Sequence, residues 1–383
     1  DPRQMHNPKG LAIDARGQLW VAEDDFQPKR VSVWSLDGRL LRAFYGPPVY
    51  GGGGVLDPRD ERLFYLAGMT FELNWRTGAS ELTAIRYRPG KDDFALPSGH
   101  HADGPPDTPL YVGGRKYYTN CYTSSPTGGT PVVCIWRDVD GVAVPAAAFG
   151  RADVWTWLKD DVFRARVEAA AGPVKPGKEP NLGDLIFIWS DVDGDGNGQP
   201  EEVALRRGTV SSGVTVGADL SLVTGNAVRY APVRLSAAGV PVYDLDAGKV
   251  LCPEPQRPTS SGGGQVLMAG GGWTVLTTAP KPFAPQSVGG ARDGVPLWSY
   301  PSPWPGLHAS HIAPPPEFPG EVIGTTRLLG PSFALDTPGR DELWAINGNK
   351  GCIYLFTTDG LFVGALFQDT RTKDSAWATR AKA

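Results

Sequence analysis

Cysteine, histidine and methionine are scarce in this chain, which has four, five and three of them among 383 residues. Four cysteines without a CxxC spacing argue against a disulfide-dense scaffold, a zinc knuckle and a dithiol redox motif. No stretch approaches the roughly 18 uninterrupted apolar residues of a membrane span, so the sequence predicts no transmembrane helix. Basic residues are dispersed and the net charge is −4, which argues against a nucleic-acid partner or a lipid-binding patch.

Common catalytic motifs are also missing. The chain contains neither an HExxH zinc motif nor a G-x-S-x-G nucleophile elbow. The glycine-rich stretches 51–54 and 262–264 lack the Lys-Ser/Thr of a P-loop. The sequence therefore does not decide whether the protein is an enzyme.

The cysteines leave two alternatives open. Cys121 and Cys134 flank a turn-rich stretch, residues 123–130, and would face each other if that stretch closes a hairpin. They form either a cross-strand disulfide or two buried thiols. Cys252 and Cys352 have no local partner in the sequence.

Glycine and proline are abundant instead, with 49 and 36 copies spread along the whole chain. Frequent Gly and Pro between short apolar runs are typical of many short strands and tight turns. Hydrophobic residues make up 41% of the chain, which is enough for a sizeable core. We therefore expect one repetitive all-β domain over residues 1–383. The first residues do not resemble a signal peptide, and we expect a mature chain or a domain excised from a larger secreted protein.

The first fifty residues contain four short apolar runs joined by turns: 10–14, 19–22, 30–34 and 40–44. Four such strands form one antiparallel sheet of the size of a propeller blade. The same pattern returns in residues 333–365, and weaker copies lie between. The sequence thus predicts a β-propeller of four-stranded antiparallel sheets. Seven blades are expected, with six or eight as alternatives, and the approximate blades are 7–47, 51–90, 107–150, 183–208, 209–255, 262–302 and 307–368.

Both terminal units resemble NHL repeats. The resemblance rests on Asn7-Pro-Lys-Gly-Leu-Ala-Ile-Asp14, followed by Leu19-Trp-Val-Ala22, Val31-Ser-Val-Trp34 and Asp37-Gly38. The close match covers about a quarter of the chain. The resemblance implies a propeller fold but no single function, because propellers of this kind include binding modules, lyases and lactonases.

One segment interrupts the repeat. Residues 154–170 have apolar residues near helical spacing together with good helix formers, which predicts a helix inserted between blades within residues 151–182. Asp153 is the expected cap and Gly172 the expected end. The stripe expected to pack on the propeller is Val154, Leu158, Val162 and Val167.

Residues 191–202 satisfy the twelve-residue calcium pattern D-x-D-x-D-G-x5-E in full. Hard oxygen donors at these spacings suit calcium, and a glycine at position 196 permits the sharp bend. The pattern assigns six ligands: Asp191, Asp193, Asp195, Asn197 through its backbone carbonyl, Gln199 and Glu202. Without a cation, so many carboxylates would repel one another.

The loop resembles that of an EF-hand, but its flanks differ from those of the family. Residues 185–189 and 203–205 have the pattern of strands rather than helices. A static calcium staple between two strands is therefore favoured over a calcium sensor. Extracellular sites of this kind bind at about 10⁻⁴ to 10⁻³ M, from which we expect a secreted, periplasmic or cell-surface location.

Three of the histidines lie just before predicted inner strands, where side chains ring the mouth of a propeller channel. His6, His101 and His311 could converge there on a transition metal, as a propeller lyase or hydrolase would require. The alternative for each is an ordinary solvated loop histidine.

The same catalytic hypothesis needs an acid or base and an anchor for an anionic substrate. Tyr117 or Tyr118 would act as the acid or base, and Arg115 would hold the substrate.

Twelve tryptophans also raise the question of carbohydrate binding, since indole rings stack on sugars. Trp75, Trp155, Trp157, Trp298 and Trp304 lie near predicted turns or the inserted helix, whereas Trp20, Trp34 and Trp344 are expected to pack between blades. Two functions remain. The first is a calcium-stabilised binding or scaffold module for a glycan or protein, monomeric or part of a multidomain chain. The second is the metal-dependent lyase or hydrolase.

Overall fold

A computed structural model gives the architecture of the chain. It describes residues 3–23, 30–45, 54–66, 68–86, 105–121, 132–172, 180–210, 213–253, 264–285, 287–302, 313–314, 316–325, 328–335, 342–348 and 352–367.

The regular secondary structure of the described residues consists mainly of short β-strands. The strands are β1 (Pro8–Ile13), β2 (Leu19–Glu23), β3 (Arg30–Trp34), β4 (Leu40–Tyr45), β5 (Val55–Leu56), β6 (Leu63–Leu66), β7 (Met69–Asn74), β8 (Ala79–Ile85), β9 (Thr108–Val112), β10 (Arg115–Thr119), β11 (Val132–Val139), β12 (Val142–Arg151), β13 (Leu185–Ser190), β14 (Val203–Arg207), β15 (Val214–Val216), β16 (Leu222–Thr224), β17 (Val228–Tyr230), β18 (Pro232–Leu235), β19 (Pro241–Tyr243), β20 (Lys249–Val250), β21 (Val266–Met268), β22 (Trp273–Leu276), β23 (Ser287–Arg292), β24 (Val295–Pro301), β25 (Leu343–Asn347), β26 (Ile353–Thr357) and β27 (Phe362–Leu366). The helical segments are α1 (Arg164–Ala171) and short 3₁₀ segments at Thr156–Lys159, Asp161–Phe163, Leu182–Asp184, Pro200–Glu202 and Gly270–Gly272.

The strands form successive antiparallel sheets, numbered here in chain order. The first (β1–β4), second (β5–β8) and fifth (β21–β24) are four-stranded meanders whose strand order follows the chain. The fourth sheet has the order β15-β16-β17-β20, and β18 pairs with β19 in a separate ribbon. The sixth sheet, β25–β27, is extended by isolated bridges at Leu328 and Phe333. Repeated four-stranded meanders are the building unit of β-propellers, so the all-β class is confirmed and the propeller class is supported.

The third sheet corrects the predicted blade boundaries. It has six strands in the order β14-β13-β12-β11-β10-β9. The segment 183–208, predicted as a blade of its own, instead adds two strands to the preceding unit, because β13 pairs directly with β12 from Ala147↔Ser190 to Arg151↔Ile186. The number of blades and the closure of the ring stay predictions.

The Asp-Gly pairs form turns at the positions that the sequence predicts. Gly38 and Gly360 have φ of 88° and 97°, and Asp140-Gly141 has φ of 52° and 82°. Both central residues of a tight hairpin turn can need positive φ, which Gly adopts freely and Asp tolerates better than most residues.

Buried apolar residues join the second to sixth sheets. One cluster draws on the third to sixth sheets, and the Trp298 and Trp344 rings stack at 6.0 Å between the fifth and sixth. The second and third sheets are linked by the Ala143 N–H, which donates to the Arg86 carbonyl at 3.1 Å. Strand β1 differs, because Leu11 in it is 66% exposed.

The segment inserted after β12, residues 152–172 and hereafter the insert, is less helical than predicted. Two 3₁₀ turns precede an α-helix of eight residues in place of one helix over 154–170. Leu158 and Val167 are buried as expected, but Val162 is 61% exposed. The expected cap is wrong, because the Asp153 carboxylate pairs with Arg151 at 2.5 Å. Gly172 does end the helix, with φ of 68°.

All four cysteine side chains are buried thiols, which is the second of the two alternatives for Cys121 and Cys134. The Cys121 Sγ lies 3.5 Å from the Val214 carbonyl oxygen of the fourth sheet. No helix within the described residues has the length and apolar character that crossing a membrane needs.

Candidate metal centre

The acidic loop 191–202 closes a β-hairpin of the third sheet. Strand β13 before it is buried throughout, and β14 after it pairs with β13 from Trp189↔Val203 to Leu185↔Arg207. The loop starts at a fixed point, because the Asp191 N–H donates to the Ala146 carbonyl at 2.9 Å. The predicted strand flanks are therefore confirmed, and the loop sits on rigid elements.

Three aspartates converge inside this loop. Single carboxylate oxygens of Asp191, Asp193 and Asp195 all lie within 4.8 Å of one another, so this cluster can hold a metal ion. Asp191 is 0% exposed; its Oδ1 accepts the Gly196 N–H at 3.1 Å, but its Oδ2 is buried without a hydrogen-bond partner. A buried carboxylate oxygen without a donor is costly in a folded protein. A cation would satisfy it.

Two other predicted ligand residues, Gln199 and Asn197, contact the aspartates of this cluster. The Gln199 amide donates to Asp195 at 2.8 Å and to Asp193 at 3.3 Å, and its Oε1 is a second buried oxygen without a hydrogen-bond partner. The Asn197 N–H donates to Asp195 Oδ1 at 2.7 Å. Gly194 and Gly196, with φ of 83° and 77°, permit the bends that bring these side chains together.

Glu202 is placed at the base of the loop, where the pattern requires its twelfth residue. Its Oε1 accepts the Val192 N–H at 2.6 Å, and its Oε2 accepts the Trp189 Nε1–H at 3.0 Å. The Asp193 N–H also donates to Oε1, at 3.3 Å. These donors hold the carboxylate against β13, and Glu202 is not part of the cluster of Asp191, Asp193 and Asp195.

The electrostatics of the loop also favour a cation. Burial is the main reason that the pKa of Asp191 is raised to about 6; the negative charges of Glu202 and Asp193 also raise it, while the Gly196 N–H lowers it. In contrast, hydrogen bonds from Asn197 lower the pKa of Asp195. Crowded carboxylates of this kind are stabilised by a bound cation, and oxygen-only ligand sets suit calcium or magnesium rather than soft transition metals.

The insert packs directly against the loop. A Cβ added at Gly198 would lie 2.3 Å from Trp157 Cε3, so the loop backbone rests on this indole. The Trp157 ring contacts Trp189 edge-on at 5.6 Å and Trp155 at 5.1 Å, and Trp155 stacks on Phe187 at 4.3 Å. These four rings are hereafter the aromatic floor of the loop.

The structure brings Arg115 and Tyr117 of the catalytic hypothesis to the same turn and places Tyr118 elsewhere. Arg115 and Tyr117 donate to the Ala237 and Gly239 carbonyls of the β18–β19 turn, at 2.9 Å and 2.7 Å. Tyr118 donates instead to Asp138 Oδ2 at 2.6 Å. Burial raises the pKa of Tyr117, and burial together with the Asp138 bond raises the pKa of Tyr118.

The histidine hypothesis stays a prediction. His6 is exposed, and its backbone N–H donates to Glu23 Oε2 at 2.7 Å. His101 and His311 lie outside the described residues.

Sequence reasoning missed a polar cluster between the second and third sheets. Buried Asp57 accepts hydrogen bonds from Tyr65 at 2.7 Å, Tyr111 at 2.6 Å and Lys116 at 2.7 Å. The Lys116 ammonium also lies over the Tyr65 ring at 4.6 Å, and the Arg86 guanidinium covers the same ring at 4.4 Å. These residues come from four separate parts of the sequence, so no local motif signals them.

The tryptophans serve mainly as packing elements in the described residues. Trp155, predicted near the surface, is 0% exposed, whereas Trp75 is 60% exposed. Trp34 and Trp344 are buried as expected, and Trp304 lies outside the described residues.

The fold and the loop together define an all-β protein of successive antiparallel sheets with an acidic site suited to a metal ion. No protein-family model and no curated protein matches the chain. Similar solved structures include a luciferin-regenerating enzyme, with 11% identity over 97% of this chain and 87% of that chain and a TM-score of 0.29. Sqt1 of Saccharomyces cerevisiae has 11% identity over 93% and 72%, with a TM-score of 0.30. BBS1N in complex with ARL6DN has 9% identity over 96% and 79%, with a TM-score of 0.27. Similarities at this level carry no argument about function.

Proposed function

We propose that this protein is a calcium-stabilised β-propeller that works as a binding or scaffold module outside the cytosol. The observation that carries the proposal is the loop 191–202, in which the three aspartates converge and the buried Asp191 Oδ2 has no hydrogen-bond partner. The loop joins two paired strands instead of two helices, which supports a static staple rather than a sensor. An affinity of about 10⁻⁴ to 10⁻³ M would suit a calcium-rich exterior.

A protein is the partner class that we propose for this module. The glycan alternative depended on exposed indole rings, and Trp155 is buried while Trp157 packs under the loop. Trp75 is the one tryptophan among the described residues that the structure leaves mostly exposed. Binding to a glycan array that is lost in Trp75→Ala would contradict the protein assignment and favour a glycan.

The calcium site is tested by calorimetric titration of the chelator-treated protein with calcium. We expect one site, and we expect Glu202→Gln to weaken binding by more than about tenfold because it removes a charged ligand. Glu201→Gln is the matched control, since Glu201 is the neighbouring carboxylate that the pattern does not use. Equal affinity in the two variants, or no binding by the unmodified protein, would refute the calcium proposal.

A further inference from the structure

The proposed calcium loop and the insert share one set of aromatic contacts. On the loop side, Glu202 accepts a hydrogen bond from the Trp189 indole at 3.0 Å. On the insert side, the Trp157 ring packs edge-on against Trp189 and also supports the backbone of Gly198. One ring of the insert therefore contacts both the strand that leads into the loop and the loop itself.

The rest of the insert is held by the strand that leaves the loop. Helix α1 packs along β14, where the Arg166 guanidinium reaches the Val203 carbonyl at 3.5 Å. Arg207, at the end of β14, donates to the Ala171 carbonyl at the end of the helix. The short helix has no long apolar stripe of its own, so its order depends on the hairpin beneath it.

We infer that calcium binding in loop 191–202 fixes the insert on the third sheet, so that the order of α1 depends on calcium. The inference rests on the proposed calcium site. Without a cation, repulsion among Asp191, Asp193 and Asp195 loosens the hairpin end on which Trp157 rests. With the cation bound, Glu202 is drawn to the ion while its Oε2 still holds the Trp189 indole, and the aromatic floor becomes rigid. Coupling of this kind is reciprocal, so the docked insert also raises the calcium affinity.

Hydrogen exchange with and without calcium tests this coupling in the whole chain. We expect amide exchange in residues 164–171 to slow by about fivefold or more when calcium is added. Exchange in β23, which pairs with β22 and β24 of the fifth sheet, serves as the internal reference. Trp157→Ala keeps every proposed ligand and should abolish most of the calcium-dependent slowing. Trp75→Ala is the matched control for loss of an indole and should behave like the unmodified protein.

The outcomes separate this inference from the proposed function. Calcium binding with slowed exchange in the unmodified protein, lost in Trp157→Ala, supports the coupling. Calcium binding with unchanged exchange in residues 164–171 overturns the coupling and leaves the calcium site intact. If calcium still slows amide exchange in residues 164–171 of Trp157→Ala, the coupling does not act through the aromatic floor and that part of the inference is overturned. Absence of calcium binding by calorimetry refutes the proposed site and the inference with it.

Discussion

Asp57 of the second sheet accepts hydrogen bonds from Tyr111 and Lys116 of the third sheet as well as from Tyr65 of its own sheet. Asp57→Asn tests this contact between the two sheets. The side chain of Asp57 is buried, while that of Lys116 is 18% exposed. Asparagine keeps the shape of the side chain but removes the charge that faces Lys116. It also replaces one acceptor oxygen with a donor amide, which would face the Tyr111 hydroxyl in either orientation of the side chain.

The size of the effect follows from the pKa of this carboxyl. Burial raises the pKa of Asp57, but the hydrogen bonds from Lys116, Tyr111 and Tyr65 outweigh burial and lower it from 3.8 to about 2. A lowering of this size corresponds to about 2 to 3 kcal/mol of folding stability. Breaking one side of a buried ion pair costs about 3 to 5 kcal/mol, and the partial exposure of Lys116 places the expected loss near the lower end.

The sign of the pH dependence is set by the lowered pKa. A carboxyl whose pKa is lower in the folded protein stabilises the fold above its unfolded pKa, and that stability is lost as pH falls through the folded value. The contribution of Asp57 is therefore full at pH 7 and disappears between about pH 4 and pH 2.

Urea unfolding at pH 7 and at steps down to pH 2.5 measures both quantities. We expect Asp57→Asn to lower the free energy of unfolding by about 2 to 3 kcal/mol at pH 7, and the difference from the unmodified protein to shrink below pH 4. Asp60→Asn is the control, because the Asp60 carboxylate pairs with the largely exposed Arg62 and should matter little. A difference that stays constant from pH 7 to pH 2.5 would refute the assigned role of the charge.

Three further perturbations have outcomes that the structure sets. Trp155→Ala should lower the free energy of unfolding by about 3 to 5 kcal/mol, because it empties a buried site in the aromatic floor; a loss no larger than that of the exposed Trp75→Ala would contradict this. Arg30→Met should lower the free energy of unfolding by about 3 kcal/mol in thermal or urea unfolding, because the substitution removes the charged partner that lies 2.7 Å from the fully buried Glu23 carboxylate. An unchanged unfolding midpoint would show that the ion pair contributes nothing. Adding 10 mM free calcium to chelator-treated protein should raise the free energy of unfolding by about 1.4 to 2.7 kcal/mol for a dissociation constant of about 10⁻³ to 10⁻⁴ M, and a midpoint that calcium leaves unchanged would count against the staple.

Local chemistry made several features predictable from the sequence. The turns at Asp37-Gly38 and Asp140-Gly141 follow from the need for positive φ, and the ligand spacing of residues 191–202 brings its aspartates together without help from distant parts of the chain. The strands on either side of the loop were also predictable, because strand-favouring residue types can be recognised within a few neighbouring positions.

Tertiary structure decided which strands pair and which groups meet across sheets. Residues 183–208 have the local pattern of a separate unit, yet β13 pairs with β12 as well as β14, because a strand buried throughout needs backbone hydrogen-bond partners along both edges. The helix predicted over 154–170 is divided because Trp155 packs on Phe187 and Trp157 on Trp189, contacts that the local apolar spacing does not encode. Asp57 and Lys116 are 59 positions apart, and only the packing of the second sheet against the third brings them into contact. Short-range sequence patterns thus determined the strands, the turns and the acidic loop. Contacts between distant parts of the chain determined the sheet boundaries and the polar cluster between the second and third sheets.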